Sequence, residues 1–114
     1  MNKIRWKGKT VATLLIPTQD FAAEIETDLE GRLDVMADDG LSGKPDYEDA
    51  ESVAQMLREA KSFPATIELS DAEAQQAAIS VENVVDLLDA HAEAGYAEAF
   101  RAVQQHMKAQ GYPR

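Results

Sequence analysis

The sequence DFAAEIETDLEGRLDV, residues 20–35, decides how much of this chain is sheet. Apolar and charged side chains alternate along it with a period of two, the pattern of a strand with one buried and one solvated face. The alternation continues past Gly31, with Leu33 and Val35 on the inner side. We therefore expect an antiparallel hairpin that turns near Glu30-Gly31.

A helix is the alternative for the same residues. Phe21, Ile25 and Leu29 recur at a spacing of four, which would place them on one face of a helix. Thr18 stands where an N-cap residue would be needed. The hairpin is favoured because a single alternating pattern spans both halves of the stretch.

Two further strands are expected before this stretch. Residues 3–7 alternate between basic and apolar side chains, and residues 10–16 form the nearly continuous apolar run of a strand covered on both faces. A turn at residues 7–9 would join them. The basic side chains of residues 3–7 are then expected to pair across the sheet with the acids of residues 24–28.

A loop and a helix follow. Residues 38–45 are rich in aspartate, glycine and serine and end in Pro45, so we expect a loop there. Apolar residues then recur at i, i+3, i+4 and i+7, which predicts an amphipathic helix from about 46 to 61. Pro64 ends this helix, and residues 65–69 are expected to form a short strand.

Two helices are expected to close the chain. Residues 70–73, SDAE, match a capping box that begins a long helix running to about residue 93. Gly95 breaks that helix, and a last one ends before Gly111; the two should pack as an antiparallel helical hairpin. The expected fold is a single α+β domain over residues 1–114, in which a small antiparallel meander packs against three helices.

Charge is unevenly placed along the chain. It has 21 acidic and 11 basic residues, a net charge of −10. Residues 1–16 hold four basic groups and no acid, whereas residues 17–60 hold thirteen acids and three bases. Such a chain repels nucleic acid and anionic membranes and is attracted to basic protein surfaces. The apolar run at residues 11–16 is too short for a membrane span.

Groups that could carry catalysis or bind a metal are sparse. The absence of cysteine excludes thiol catalysis and thiolate metal sites, and it fits a cytoplasmic protein. His91 and His106 fall on the last two expected helices without the spacing of a metal-binding motif. No G-x-S-x-G motif or phosphate-binding loop occurs. We therefore expect no enzyme activity, no cofactor and no metal.

The charge pattern gives the first functional hypothesis. In the expected hairpin, successive outward acids lie about 6.5–7 Å apart, close to the spacing of phosphates along a DNA strand. They would block a basic site on a partner such as a nucleic-acid-binding protein, as small phage or plasmid anti-defence inhibitors do, an analogy of charge and size only. The expected partner-binding residues are Glu24, Glu26, Asp28, Glu30, Asp34, Asp38 and Asp39.

The long helix that begins at residue 70 gives the alternative hypothesis. Its apolar seam is long for a chain of this size, and any part left uncovered by the sheet would be a surface for a homodimer or for a partner protein. We expect Val81, Val84 and Leu88 to carry that contact. The protein would then be an adaptor or antagonist acting through an apolar helix surface.

Overall fold

The computed structural model describes residues 10–90 and 94–114, with the side chains of residues 88–90 and 94–97 outside the description. These residues form two strands and four helices, which confirms the α+β class. In chain order the elements are β1 (Ala12–Ile16), α1 (Gln19–Asp38), α2 (Pro45–Glu59), β2 (Ala65–Leu69), α3 (Asp71–Ala90) and α4 (Ala94–Ala109).

Residues 19–38 form one helix, so the expected hairpin at Glu30-Gly31 is wrong. Thr18 is its N-cap, and its Oγ1 accepts a hydrogen bond from the backbone N–H of Phe21 at 3.3 Å. Phe21, Ile25 and Leu29 fit both a period of two and a helical spacing of four. These positions could therefore not distinguish a strand from a helix. The inward residues of the strand reading that do not fit the helical stripe, Ala23 and Thr27, are exposed.

The sheet pairs β1 with β2 in antiparallel register, with Leu14 opposite Ile67. This confirms the strand expected at residues 65–69 and makes it the partner of β1 in place of residues 20–35. The strand expected at residues 3–7 lies outside the described residues. Its cross-strand pairing with residues 24–28 is wrong, because those residues are helical.

The edge of β1 is also bonded to the end of the chain. The N–H of Thr13 donates to Gln110 Oε1 at 2.9 Å, and Gln110 Nε2 donates to the carbonyl oxygen of Thr13 at 2.9 Å. A side-chain amide thus takes the place that a neighbouring strand would take at that residue.

The helices expected in the second half of the chain are confirmed. The capping box of α3 forms as expected: the N–H of Ser70 donates to Glu73 Oε1 at 2.9 Å, and the N–H of Glu73 donates to Ser70 Oγ at 3.3 Å. Helices α3 and α4 form the expected antiparallel hairpin, since Tyr112, beyond the end of α4, bonds to Asp71 at the start of α3.

The core lies between the inner face of the sheet and the four helices. Buried residues from all six elements form one apolar cluster. At its centre the rings of Phe21 and Phe100 stack with centroids 3.8 Å apart. Helices α1, α2 and α3 are neighbours on one side of this core, and that arrangement positions the candidate site.

Candidate functional site

The acids expected in one outward row along the hairpin lie instead on different faces of α1 and just beyond its end. Successive residues of a helix are rotated by about 100°, so residues two apart point to nearly opposite sides. Glu24 and Asp28 accordingly lie on the side of α3, whereas Glu26 and Glu30 lie on the side of α2. The row of carboxylates at strand spacing is therefore wrong, because it required a strand.

Arg58 of α2 pairs with two of these acids. Its Nη1 lies 3.1 Å from Glu26 Oε2 and 2.5 Å from Glu30 Oε2. Burial lowers the pKa of Arg58, but hydrogen bonds and charge from the two glutamates outweigh it and raise that pKa above its ordinary value. Glu26 and Glu30 are thus neutralised in part within the fold.

The other three acids lie at and beyond the end of α1. Asp34 and Asp38 are exposed on the helix, and Asp39 is its C-cap residue. None of the three lines the groove described below. The structure therefore does not bring the seven expected acids together into one site.

A groove of about 630 Å³ runs between α1 and α3 and reaches the first turn of α2. We call it the α1–α3 groove. Its walls are mainly apolar, and apolar side chains from both helices face it. These residues are Val35, Met36, Ile79, Val84 and Leu87.

The two walls of the groove run antiparallel. Near one end, Asn83 Nδ2 donates to Asp28 Oδ2 at 3.1 Å. One turn further along α1, Arg32 Nη1 donates to Gln76 Oε1 at 2.7 Å, so the partner on α3 lies earlier in the chain. On both helices the residues that line the groove are spaced three or four apart. One continuous stripe of each helix therefore faces the groove.

Each end of the groove carries an exposed apolar side chain. Val35 is 62% exposed and Leu87 is 54% exposed. Because the helices are antiparallel, Leu87 lies at the end marked by Glu24, and Val35 lies at the opposite end. About 11 residues of α1 separate the two ends, or about 16 Å along the helix axis.

The groove is acidic at its margin. Glu24, Asp28 and Asp46 line it, and we call these three residues the acidic rim. Among the described residues of the lining Arg32 is the one base, so three carboxylates and one guanidinium give this part of the groove a net charge of −2. An apolar trough with an acidic rim suits an occupant that is both apolar and basic.

Arg32 spans the floor of the groove from α1 to α3. Its Nη2 donates to the backbone oxygen of Gln76 at 2.8 Å and to Ser80 Oγ at 2.7 Å. Its Nε is buried without a hydrogen-bond partner among the described residues, although Asp28 Oδ2 lies 3.5 Å away as an ion pair. Burial lowers the pKa of Arg32 from its ordinary value, against the opposing charge of Asp28.

Gly31 leaves the middle of the groove open. It lies within α1 and lines the groove. Apart from its chain neighbours and the backbone of its own helix, no described heavy atom lies within 4 Å of the position that a Cβ would take. A glycine inside a helix costs about 0.5–1 kcal/mol relative to alanine. The helix here carries that cost at an exposed position that lines the groove.

The residues expected to form an apolar surface on α3 differ in their accessibility. Val81 is 0% exposed and Val84 is 3% exposed, so both pack within the chain, although Val84 also reaches the groove. The side chain of Leu88 lies outside the described part of the chain. On α3, the accessible apolar side chains that face the groove are Ile79 and Leu87.

The histidines form no described site. His106 is exposed, and its Nε2 lies 3.2 Å from Thr13 Oγ1, while His91 lies outside the described residues. Within residues 10–90 and 94–114, no group of three or more histidine, aspartate or glutamate side chains could hold a metal ion. None of the described helices is both long and apolar enough to cross a membrane.

Sequence reasoning missed the groove because its two walls are far apart in the chain. A helix reading of residues 20–35 would have placed Gly31 and Val35 on one side of α1, away from the buried stripe of Phe21, Ile25 and Leu29. An apolar residue and a glycine on an otherwise charged face were the available signal.

Comparison with protein-family models, with curated proteins and with solved structures finds no match to this chain.

Proposed function

We propose that this protein is a non-catalytic cytoplasmic regulator that binds a partner protein through the α1–α3 groove and thereby blocks or recruits it. The observation that carries the proposal is the pair of exposed apolar side chains, Val35 and Leu87, at the two ends of an apolar groove. Groups of apolar side chains left at the surface around a concave site are characteristic of protein interaction sites.

The shape of the groove favours a macromolecular ligand over a small one. Sites for small molecules usually bury most of the ligand surface. Here the side chains at both ends are more than half exposed, and Gly31 leaves the middle uncovered. A long open trough offers a partner surface a continuous contact along two helices.

Acidic side chains keep a role in this proposal, as the rim of the groove and not as the row expected along a strand. Glu24 and Asp28 lie beside the apolar walls, and Asp46 joins them from α2. These carboxylates would steer a basic partner to the groove and fix its register. The function remains that of an inhibitor or adaptor directed at a protein with a basic surface.

The test is a comparison of three forms of the purified protein as baits in a lysate of the source organism. The forms are the wild type, the double variant Val35→Glu/Leu87→Glu, and the control Val11→Glu. Val11 is 51% exposed on the sheet side, so its substitution adds the same kind of charge away from the groove. Captured proteins are identified by mass spectrometry, purified and titrated against each bait.

We expect one protein to bind the wild type and Val11→Glu with equal affinity and to lose at least about tenfold in affinity for the double variant. Circular dichroism and the urea midpoint must agree among the three forms. A partner that binds all three equally would show that the groove is not the binding site and would overturn the proposal.

A further inference from the structure

We infer that the α1–α3 groove receives a basic amphipathic helix of about three turns, presented by the partner protein. This inference rests on the proposed function and names the chemistry of the partner at the same site. It is drawn from the length of the groove, from Gly31 and from the acidic rim.

The length of the groove matches a short helix. Its two exposed apolar ends lie about 16 Å apart, which is about three helical turns. A helix seated in a groove anchors itself through apolar side chains at i, i+3 or i+4, and i+7, and a further anchor at i+11 extends the row to about 16 Å. Such a helix would place its first and last anchors beside Leu87 and Val35, and its middle anchors against Ile79.

Gly31 allows the occupant to approach α1 closely. Packed helices lie about 8–10 Å apart, depending on the side chains at the contact, and a glycine permits the shorter distances. The space beyond the Gly31 Cα is empty in the described structure. A side chain there would fill the trough and hold the incoming helix away from both walls.

The acidic rim sets the charge of the occupant. Glu24, Asp28 and Asp46 outnumber Arg32, which is already bonded to Gln76 and Ser80 on the floor. Lysine or arginine on the flanks of the incoming helix would meet carboxylates on the rim. An acidic helix of the same shape would be repelled.

The same charge argument disfavours a second copy of this chain as the occupant. In a two-fold dimer through this surface, the acidic rim of one copy would lie against the acidic rim of the other. Each copy also carries a net charge of −10. A homodimer at the groove would therefore bring like charges together with no described basic patch in the groove to offset them.

The experiment uses the full-length protein and two synthetic helical peptides of about 14 residues. Both carry leucine at i, i+4, i+7 and i+11; one has lysine on its polar face, and the other has glutamate at the same positions. Binding is measured by fluorescence anisotropy at low and at physiological salt. We expect a 1:1 complex with the lysine peptide that is at least about tenfold tighter than with the glutamate peptide and that weakens with salt.

A pair of matched variants separates docking in the groove from general attraction to an acidic protein. Gly31→Leu fills the groove at a position with open space, and Ala23→Leu adds the same side chain at an exposed position of α1 that does not line it. We expect Gly31→Leu to weaken binding of the lysine peptide by at least about tenfold and Ala23→Leu to leave it unchanged.

A second pair of variants, equal to each other in net charge, tests the rim. Glu24→Gln/Asp46→Asn removes two rim carboxylates, and Asp34→Asn/Asp39→Asn removes two exposed carboxylates that do not line the groove. The first double variant should lose more affinity for the lysine peptide than the second. Equal losses from both pairs would mean that binding follows net charge alone and would overturn the inference.

The remaining outcomes distinguish the two proposals. The inference of a basic helix would be overturned by equal affinity of both peptides for the protein, or by binding that survives Gly31→Leu. So would a self-association of the wild type that sedimentation detects and Gly31→Leu abolishes, because the occupant would then be a second copy. In each case a natural partner lost from Val35→Glu/Leu87→Glu would still support the proposed function.

Discussion

Arg32 and Gln76 are joined by two hydrogen bonds across the floor of the α1–α3 groove. Nη1 of the guanidinium donates to the side-chain oxygen of Gln76 at 2.7 Å, and Nη2 donates to its backbone oxygen at 2.8 Å. Gln76 is only 7% exposed, so most of its side chain is shielded from water. The pair ties α1 to α3 and sets the distance between the walls of the groove.

Replacing Arg32 with lysine should destabilise the protein. A lysine ammonium keeps the charge but cannot present two nitrogens in a plane to the two oxygens of Gln76. A buried acceptor left without its donor costs about 1–3 kcal/mol. We expect urea unfolding to show a loss in this range for Arg32→Lys. The control is Arg58→Lys, at an exposed ion pair, where a change of at most about 1 kcal/mol is expected. Equal effects of the two substitutions would contradict the structural role of Arg32.

Gly31→Ala should stabilise the protein by about 0.5–1 kcal/mol. Alanine lowers the entropy of the unfolded chain and favours the helix, and no atom lies close enough to meet its methyl group. Thermal unfolding followed by circular dichroism measures the gain. A lower midpoint than the wild type would mean that the groove floor at this residue is occupied.

Ser70→Ala should destabilise the protein by about 0.5–2 kcal/mol. The substitution removes the acceptor for the N–H of Glu73 at the start of α3. Glu73 is itself buried and also accepts a hydrogen bond from Ser52 Oγ at 2.7 Å, so the cap is part of a larger buried network. Ser42→Ala, in the exposed loop before α2, is the control and should leave the urea midpoint unchanged. A similar loss from both variants would argue against the cap.

The contact between Asp71 and Tyr112 should make stability depend on pH at both extremes. Tyr112 Oη donates to Asp71 Oδ1 at 2.7 Å, and Arg114 donates to the same oxygen. The hydrogen bond from Tyr112, followed by that from Arg114, lowers the pKa of Asp71 from its ordinary 3.8. The hydrogen bond to Asp71, followed by burial, raises the pKa of Tyr112 from its ordinary 10.0.

The signs of the two contributions are opposite. Stability from ionised Asp71 is fully present above pH 3.8 and is lost as the pH falls through the lowered pKa. Stability from the protonated Tyr112 phenol is fully present below pH 10.0 and is lost as the pH rises through the raised pKa. We expect the difference in urea midpoint between the wild type and Tyr112→Phe to be greatest between these limits. A difference that is constant from acid to alkaline pH would contradict the contact.

Much of the fold could be predicted from local signals. The capping box at residues 70–73 fixed the start of α3, because its two hydrogen bonds form within four residues. The helix predicted from about residue 46 begins at Pro45, which had been assigned to the loop, since a proline at the first helical position loses no hydrogen bond there. The strands β1 and β2 were also predicted, because each is a run of five residues, which is too short for a typical helix.

The helix at residues 19–38 was not decided by its own pattern. Apolar residues at every fourth position satisfy both a period of two and a helical stripe. The choice came from packing: Phe21 stacks on Phe100 of α4, and Arg32 bonds to Gln76 of α3. Both partners lie more than forty residues away, so no local window contains them.

The sequence by itself determined the charge balance, the positions of most helix ends and the apolar residues available to a core, because these depend on composition and on bonds between near neighbours. The tertiary structure decided which acids share a face. It placed Glu26 and Glu30 against Arg58, and it left Glu24 and Asp28 beside the open groove. A groove between α1 and α3 exists only when two distant helices are packed together, and long-range packing is the part of the free energy that sequence periodicity does not contain.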